Sequence, residues 1–196
     1  GRELGPDGRA QVARSHEREQ DRNVRRDAGN ADGALRAYAR ALQLNPALEA
    51  SARGQLTILT AQGKQRSAIR VSAQLEHLLD LPQSLRTVME LTAQNKLLKA
   101  EELCRQFLQN NPRHVEGMRL LADIGARLGI LEDAEFLLES AVEFEPDNVQ
   151  ARMDYVQILR KRQKFEAALS QAEHLLDSEP DNPQFRSLCA IELMQT

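Results

Sequence analysis

Four histidines, two cysteines and two pairs of adjacent acids are the residues of this 196-residue chain from which chemistry is most readily built. His16, His77, His114 and His174, with Cys104 and Cys189, supply the imidazole and thiolate ligands that zinc takes. They are scattered along the chain, without metal-ligand spacing against each other. Both cysteines fall on apolar stripes, where a free thiol acts as a small hydrophobe and not as a nucleophile. The acid pairs Glu101/Glu102 and Glu132/Asp133 have the composition of a general acid–base couple, but the pattern predicts that each lies in the first turn of a helix. There the positive end of the helix dipole accounts for them without catalysis. Neither G-x-x-x-x-G-K-[ST] nor G-x-G-x-x-G, the phosphate-binding runs, occurs. The expectation is therefore no catalytic residue, no metal and no cofactor, and a chain that works through its surface.

Composition says what must carry that surface. Aromatic residues make up 4% of the chain and Trp is absent, while Leu and Ala dominate the apolar set. That speaks against a β-sandwich or barrel and for packed helices. No stretch approaches the ~18 uncharged apolar residues that a membrane span needs, and residues 1–30 lack the apolar core of a signal peptide. With 26 basic and 29 acidic residues the net charge is -3, which gives no electrostatic case for nucleic acid. Two cysteines far apart fit a reducing compartment, so a cytoplasmic location is expected.

The helices repeat. Pro112, Pro146 and Pro180 are spaced by 34 residues, and Pro46 lies nearly two further periods upstream. Ala34, Ala68, Ala100, Ala134 and Ala168 follow the same period with one step of 32. Five residues before each stands a third marker: Gly29, Gly63, Asn95, Gly129 and Gln163. Within Val115 to Pro146, Met118, Leu121, Ala122, Gly125 and Leu128 form one helical stripe. Gly129 then supplies a left-handed C-cap, and Ala134, Leu137, Leu138 and Ala141 form a second stripe that Pro146 ends. Each unit is thus a helical hairpin. The recurring Ala is read as the small residue that lets the second helix approach the first; the alternative is that Ala is simply a good helix former.

These residues resemble the tetratricopeptide repeat (TPR) family, whose 34-residue helix–turn–helix carries W-x2-L-G-x2-Y…A-x3-F…P. The unit from Val115 supplies Met118, Leu121, Ala122 and Gly125, then Ala134, Leu138 and Pro146. The Trp is missing throughout, and the small residue after the Leu is often larger, as at Leu56, Val88 and Val156. The resemblance implies an all-α fold, a right-handed superhelical solenoid of antiparallel helical hairpins, over 28–196. Its units are 28–48 (partial), 49–80, 81–114, 115–148, 149–182 and 183–196 (partial), after a polar segment or cap over 1–27.

The ends are read separately. Between Leu4 and Leu35 there is no Leu, Ile, Met or aromatic residue. Three readings of that segment stay open: a polar cap on the array, a solvated lead-in, or a basic helix presenting Arg14, Arg18, Arg22 and Arg26. At the other end Phe185, Leu188, Cys189 and Leu193 mark a first helix with no second helix after it. The expectation drawn from this is a fragment of a longer protein.

In the family, ligand peptides lie on the concave side lined by first helices. The resemblance implies a protein or peptide partner in that groove, lined by Leu85, Met89 and Thr92; by Glu116, Arg119, Asp123 and Arg127; by Gln150, Met153, Gln157 and Arg160; and by Gln184, Ser187 and Ile191. The principal candidates are Met89, Arg119, Asp123, Met153, Gln157 and Arg160, with Arg119 holding a carboxylate or backbone carbonyl. The other reading of Arg119, Asp123 and Arg127 is a solvated face with four-residue ion pairs. Chaperone-binding members hold a C-terminal carboxylate with Lys, Arg and two Asn in register. Here Asn23 and Arg86 fit, but Glu19, Gly54 and Pro82 stand at the other places, which argues against that partner. Residues 100–148, through A-E-x-L-C-R…P-x-H-x-E-x-x-x-L-L-A, are also similar to TPR segments preceding a bacterial sulfotransferase domain. Three functions follow: a peptide-binding scaffold in a larger bacterial protein, the non-catalytic arm of a sulfotransferase that shapes substrate access, or a structural or oligomerisation spacer.

Overall fold

The computed structural model describes residues 29–43 and 45–195. The segment over 1–27, with the three readings of its arginines and the Asn23 and Glu19 of the chaperone frame, lies outside them. Among the described residues there are only helices and turns. α1 covers residues 29–43, followed by α2 (Glu49–Ala61) and α3 (Gln65–Asp80). These belong to a first compact unit that ends at Asp80; the second begins at Leu81. The second holds α4 (Gln83–Ala93), α5 (Leu97–Asn110), α6 (Val115–Leu128), α7 (Leu131–Phe144), α8 (Val149–Lys161), α9 (Phe165–Ser178) and α10 (Pro183–Leu193).

Within the first unit α2 packs along α3, and α1 meets α2 where the Tyr38 ring covers Gly54. A β-carbon on Gly54 would lie 2.5 Å from the ring's Cζ, so any larger residue there would have to push the ring aside. Within the second unit α4 pairs with α5, α6 with α7 and α8 with α9, and each pair also packs on the helix that follows it. First helices touch directly, α4 on α6 and α6 on α8.

At four of its five positions the third sequence marker proves to be the pivot of the hairpin; the fifth, Gly29, lies within α1 and is not among the positive-φ glycines. Gly63, Asn95, Gly129 and Gln163 all have positive φ, between 57° and 83°. After each, the next amide bonds five residues back: Lys64 to Leu59, Lys96 to Leu91, Ile130 to Gly125 and Lys164 to Leu159, at 2.8–3.0 Å. That six-residue closure is the Schellman turn, and it satisfies carbonyls left open at the helix end. Glycine adopts it without a side-chain clash and Asn tolerates it, whereas Gln163 is strained there. Gln163→Gly is therefore expected to stabilise by about 0.5–1 kcal/mol, the relief exceeding the extra flexibility of unfolded glycine. Thermal unfolding checks it, and a lower melting temperature would overturn the account. The opposite turn holds the repeating Pro and is closed by side-chain caps. Asn148 Oδ1 accepts from the Ala151 amide at 3.0 Å, Asn182 Oδ1 from that of Gln184 at 2.9 Å, and His114 Nδ1 from that of Gly117 at 3.2 Å.

The core lies where the hairpin stripes meet. Ala100, Ala134 and Ala168 are fully buried, as the close-approach reading requires, whereas Ala34 and Ala68 of the first unit are only half-buried. Ala134, Leu138, Val156, Leu159, Ala168 and Ala172 join one apolar cluster. Two expectations fail. Leu85 and Thr92 do not line a groove: with Val88 they form the buried stripe of α4, and the Thr92 hydroxyl donates to the Val88 carbonyl at 2.8 Å. Glu101 and Glu102 are not in a first turn, because α5 begins at Leu97; Glu101 instead accepts from Arg105 Nε at 2.9 Å, one turn on.

Candidate functional site

The first helices α4, α6, α8 and α10 present the face on which the sequence placed its six candidate residues. The 34-residue register puts Arg119 and Met153 at one level, and Met89, Asp123, Gln157 and Ile191 a turn later. What those residues touch differs from one to the next.

Arg119 is already engaged. Its side chain is 16% exposed, and its Nε donates to Asp154 Oδ2 at 2.8 Å, with Nη2 equally close. Nη1 meets Glu116 on its own helix. Asp154 Oδ1 accepts from Gln150 at 3.0 Å. Arg119 thus ties α6 to α8 through Asp154 while Glu116 holds it on its own helix, and the group of three charges keeps a net charge of -1. Arg160 ties α8 to α10: its Nε donates to Glu192 Oε1 at 2.8 Å, and Nη2 meets the same oxygen. Arg160 is 37% exposed while Glu192 is fully buried. Asp123 pairs with Arg127 at 2.9 Å, both about half exposed, which is the solvated four-residue pair of the alternative reading. Gln157 is exposed and Met89 half-buried.

Met153 stands apart, because it lines a cleft of about 440 Å³ with Pro183, Gln184, Ser187, Leu188 and Ile191. Three of these partners, Gln184, Ser187 and Ile191, were read from the sequence as groove residues. Pro183 and Leu188 were not, nor were Asp154 and Glu192. Asp154 lies 35 residues after Arg119 and Glu192 lies 32 after Arg160, so each opposite charge stands about one period on. That spacing is a signal the sequence does carry. A second hollow, of about 580 Å³, is formed by the single stretch Glu179–Gln184 and has no opposing element.

Burial pushes the Cys104 thiol up to about 12 against the pull of Arg105, and its Sγ lies 3.3 Å from the Gly117 carbonyl oxygen. Burial, with Glu139, Glu135 and Glu143, raises the Tyr155 phenol to about 12. His114 is the α6 cap, edge-on to Phe107 with ring centroids 5.0 Å apart. Among the described residues no three His, Cys, Asp or Glu side chains are grouped to hold a metal ion, and no helix is long and apolar enough to cross a membrane.

Comparison with known proteins agrees with this architecture. Two tetratricopeptide repeat profiles match residues 85–149 and 126–191. The chain belongs to the tetratricopeptide repeat family. Among solved structures it is similar to a thermophilic TPR protein of Thermus thermophilus, at 20% identity and TM-score 0.53, over 86% of this chain and 93% of that one. It is also similar to part of a Naa15/Naa10 assembly bound to HypK-THB, at 14% identity and TM-score 0.50, over 85% of this chain and 23% of that one. No curated protein sequence matches it. Both likenesses concern the fold. The chain is a TPR scaffold, and its class is one whose members commonly hold other proteins.

Proposed function

We propose that the chain binds a polypeptide segment on its first-helix face and that an apolar side chain of that segment enters the α8–α10 cleft. The cleft is the observation that carries this reading. Arg119, Arg160 and Arg127 are each spoken for by a carboxylate of the same chain, so a ligand carboxylate would have to displace one of them. Met153, Leu188 and Ile191, in contrast, offer apolar walls to a ligand without breaking an existing bond. Gln184 and Ser187 at the rim supply the polar contacts that fix orientation. Met adapts its shape to irregular apolar partners. Each hairpin is one repeat in this reading, with boundaries at 49–80, 81–114, 115–148 and 149–182, and the chain itself does no chemistry. Two buried free thiols, Cys104 and Cys189, support a reducing, cytoplasmic setting. The arm of a bacterial sulfotransferase remains the alternative for the whole protein, resting on the wording of 100–148.

A photo-crosslinker placed at the exposed Gln157 tests the face, with one at Glu139 on α7 as the control. Cross-linked polypeptide is expected from position 157, and Met153→Glu should reduce it about tenfold, the scale of one anchor in a small interface. Equal adducts from both positions, or no effect of Met153→Glu, would refute the cleft as the binding site.

A further inference from the structure

We infer that the outer face of α7 is a second interaction surface, along which lies an extended polypeptide segment carrying arginines three residues apart. Charge sets the kind of partner. α7 carries Glu132, Asp133, Glu135, Glu139 and Glu143, and α9 carries Glu166, Glu173 and Asp177, with no Lys or Arg on either helix. On α3 and α5 the charges balance: Arg66 and Arg70 stand against Glu76 and Asp80, and Lys99 and Arg105 against Glu101 and Glu102. The acids at the start of α7 are paired, Glu132 and Glu135 with Arg162 and Asp133 with Arg105. Glu139 and Glu143, exposed and one turn apart, have no ion-pair partner among the described residues, nor have Glu173 and Asp177 at the same register on α9. Burial comes first in raising the Tyr155 phenol on α8, and Glu139, Glu135 and Glu143 add to it, so this field reaches the neighbouring helix.

An exposed ring stands in that field. Phe136 is 68% exposed, and on the same outer stripe Glu132 lies one turn before it, Glu139 one turn after and Glu143 two turns after. The chain itself shows what such a ring on α7 takes. Phe144, 42% exposed, has the Arg113 guanidinium over its face, 5.5 Å from the centroid. Phe136 makes no such contact among the described residues. A guanidinium brought to Phe136 would stack on the ring and meet Glu139 at once, where an ammonium offers only a point charge. A second guanidinium would meet Glu143. From Phe136 to Glu143 the helix rises about 10 Å, the reach of three residues of extended chain, which sets the arginine spacing. This surface is on a second helix and the α8–α10 cleft on first helices, so either can fail alone. Salt separates them, because about 1 M screens exposed charges beyond about 3 Å and leaves an apolar cleft intact. Cross-linking at positions 157 and 139 compared in that salt reports the cleft alone.

The probe is a synthetic peptide, S-R-G-S-R-G-S, titrated into the chain at low ionic strength and followed by amide chemical shifts. Saturable shifts along α7 are expected. Phe136→Leu, which keeps the surface apolar, should weaken binding about threefold, the scale of an exposed cation–π contact. Glu139→Gln with Glu143→Gln should weaken it about tenfold, as two charge-assisted contacts are lost. Glu90→Gln with Asp80→Asn, exposed acids of α4 and α3, removes the same charge and should leave binding nearly unchanged. A peptide with lysine at both arginine positions, or with the two arginines side by side, should bind about threefold more weakly. Absence of saturable shifts, shifts that avoid α7, or indifference to Phe136→Leu overturns the proposal. Equal losses from the two acid pairs would overturn it in favour of a diffuse negative surface without a docking stripe.

Discussion

Arg160→Ala should cost about 3 kcal/mol, the lower end of what breaking a buried ion pair costs by removal of one partner. The reason is what remains. Glu192 is fully buried, and the Arg160 guanidinium, with Nε at 2.8 Å, is the cation that compensates it. Its other oxygen, Oε2, is buried with no hydrogen-bond partner. Without Arg160 the carboxylate keeps its desolvation and loses its compensation, so it must take up a proton or α10 must lift away. Arg160 is partly exposed and its replacement by alanine empties little core, which places the effect at the charge and not at packing. The register then names the rescue. Ile124 and Ile158 hold the place of Glu192 in α6 and α8, both buried. Glu192→Ile in the Arg160→Ala background should restore most of the loss, since a well-packed apolar residue does as well as a buried pair. Thermal unfolding measures the sum, and hydrogen exchange of the α10 amides locates it. A loss in the double variant as deep as in Arg160→Ala would mean that Arg160 stabilises by some route other than Glu192.

The sequence was most legible where one residue type performs one local task in every unit. The markers at Gly63, Asn95, Gly129 and Gln163 were visible as a period, and each proves to be a left-handed turn residue. Ala100, Ala134 and Ala168 were visible as small residues at hairpin contacts, and all three are fully buried. The candidate face was legible in part. Met153 with Gln184, Ser187 and Ile191 was read to one surface and meets in one cleft. Leu85 and Thr92 were placed on the wrong side of α4. The stripes 85–88–92 and 85–89–92 differ by one residue at the middle position, about 100° of helix rotation, and counting along one short helix does not choose between them. The engagement of Arg119 was not legible from its own helix either. Its partner Asp154 comes from the next hairpin, and a reading that stays within one unit sees a free cation where the fold has made a tie. This changes what Arg119→Ala would report: it removes an inter-hairpin link, so loss of a partner in that variant would not by itself identify a binding residue.

Ala134→Leu and Ala168→Leu should each lower stability by about 1–3 kcal/mol, whereas Ala167→Leu should leave it nearly unchanged. Ala134 and Ala168 are fully buried at the start of α7 and α9, inside the cluster that joins each second helix to its first. Around Ala134 the chain approaches closely: a β-carbon on Gly125 would lie 3.9 Å from that of Ala134 and 3.4 Å from the Ile130 carbonyl oxygen. Three added carbons cannot enter such a contact without moving a helix, and dense cores resist that motion. Ala167 is the informative control, because it is the same substitution on the same helix one residue away and exposed. Helix propensity changes equally at 167 and 168, so a difference between them isolates packing from propensity. Ala126→Leu would be a poorer control, since Ala126 is half-buried against the same cluster. The loss should appear first in the hairpin that carries the substitution, because stability in stacked repeats is set by each unit and its neighbours. Equal effects at 167 and 168 would reduce the recurring alanine to a helix former and remove the close-approach account of the hairpin.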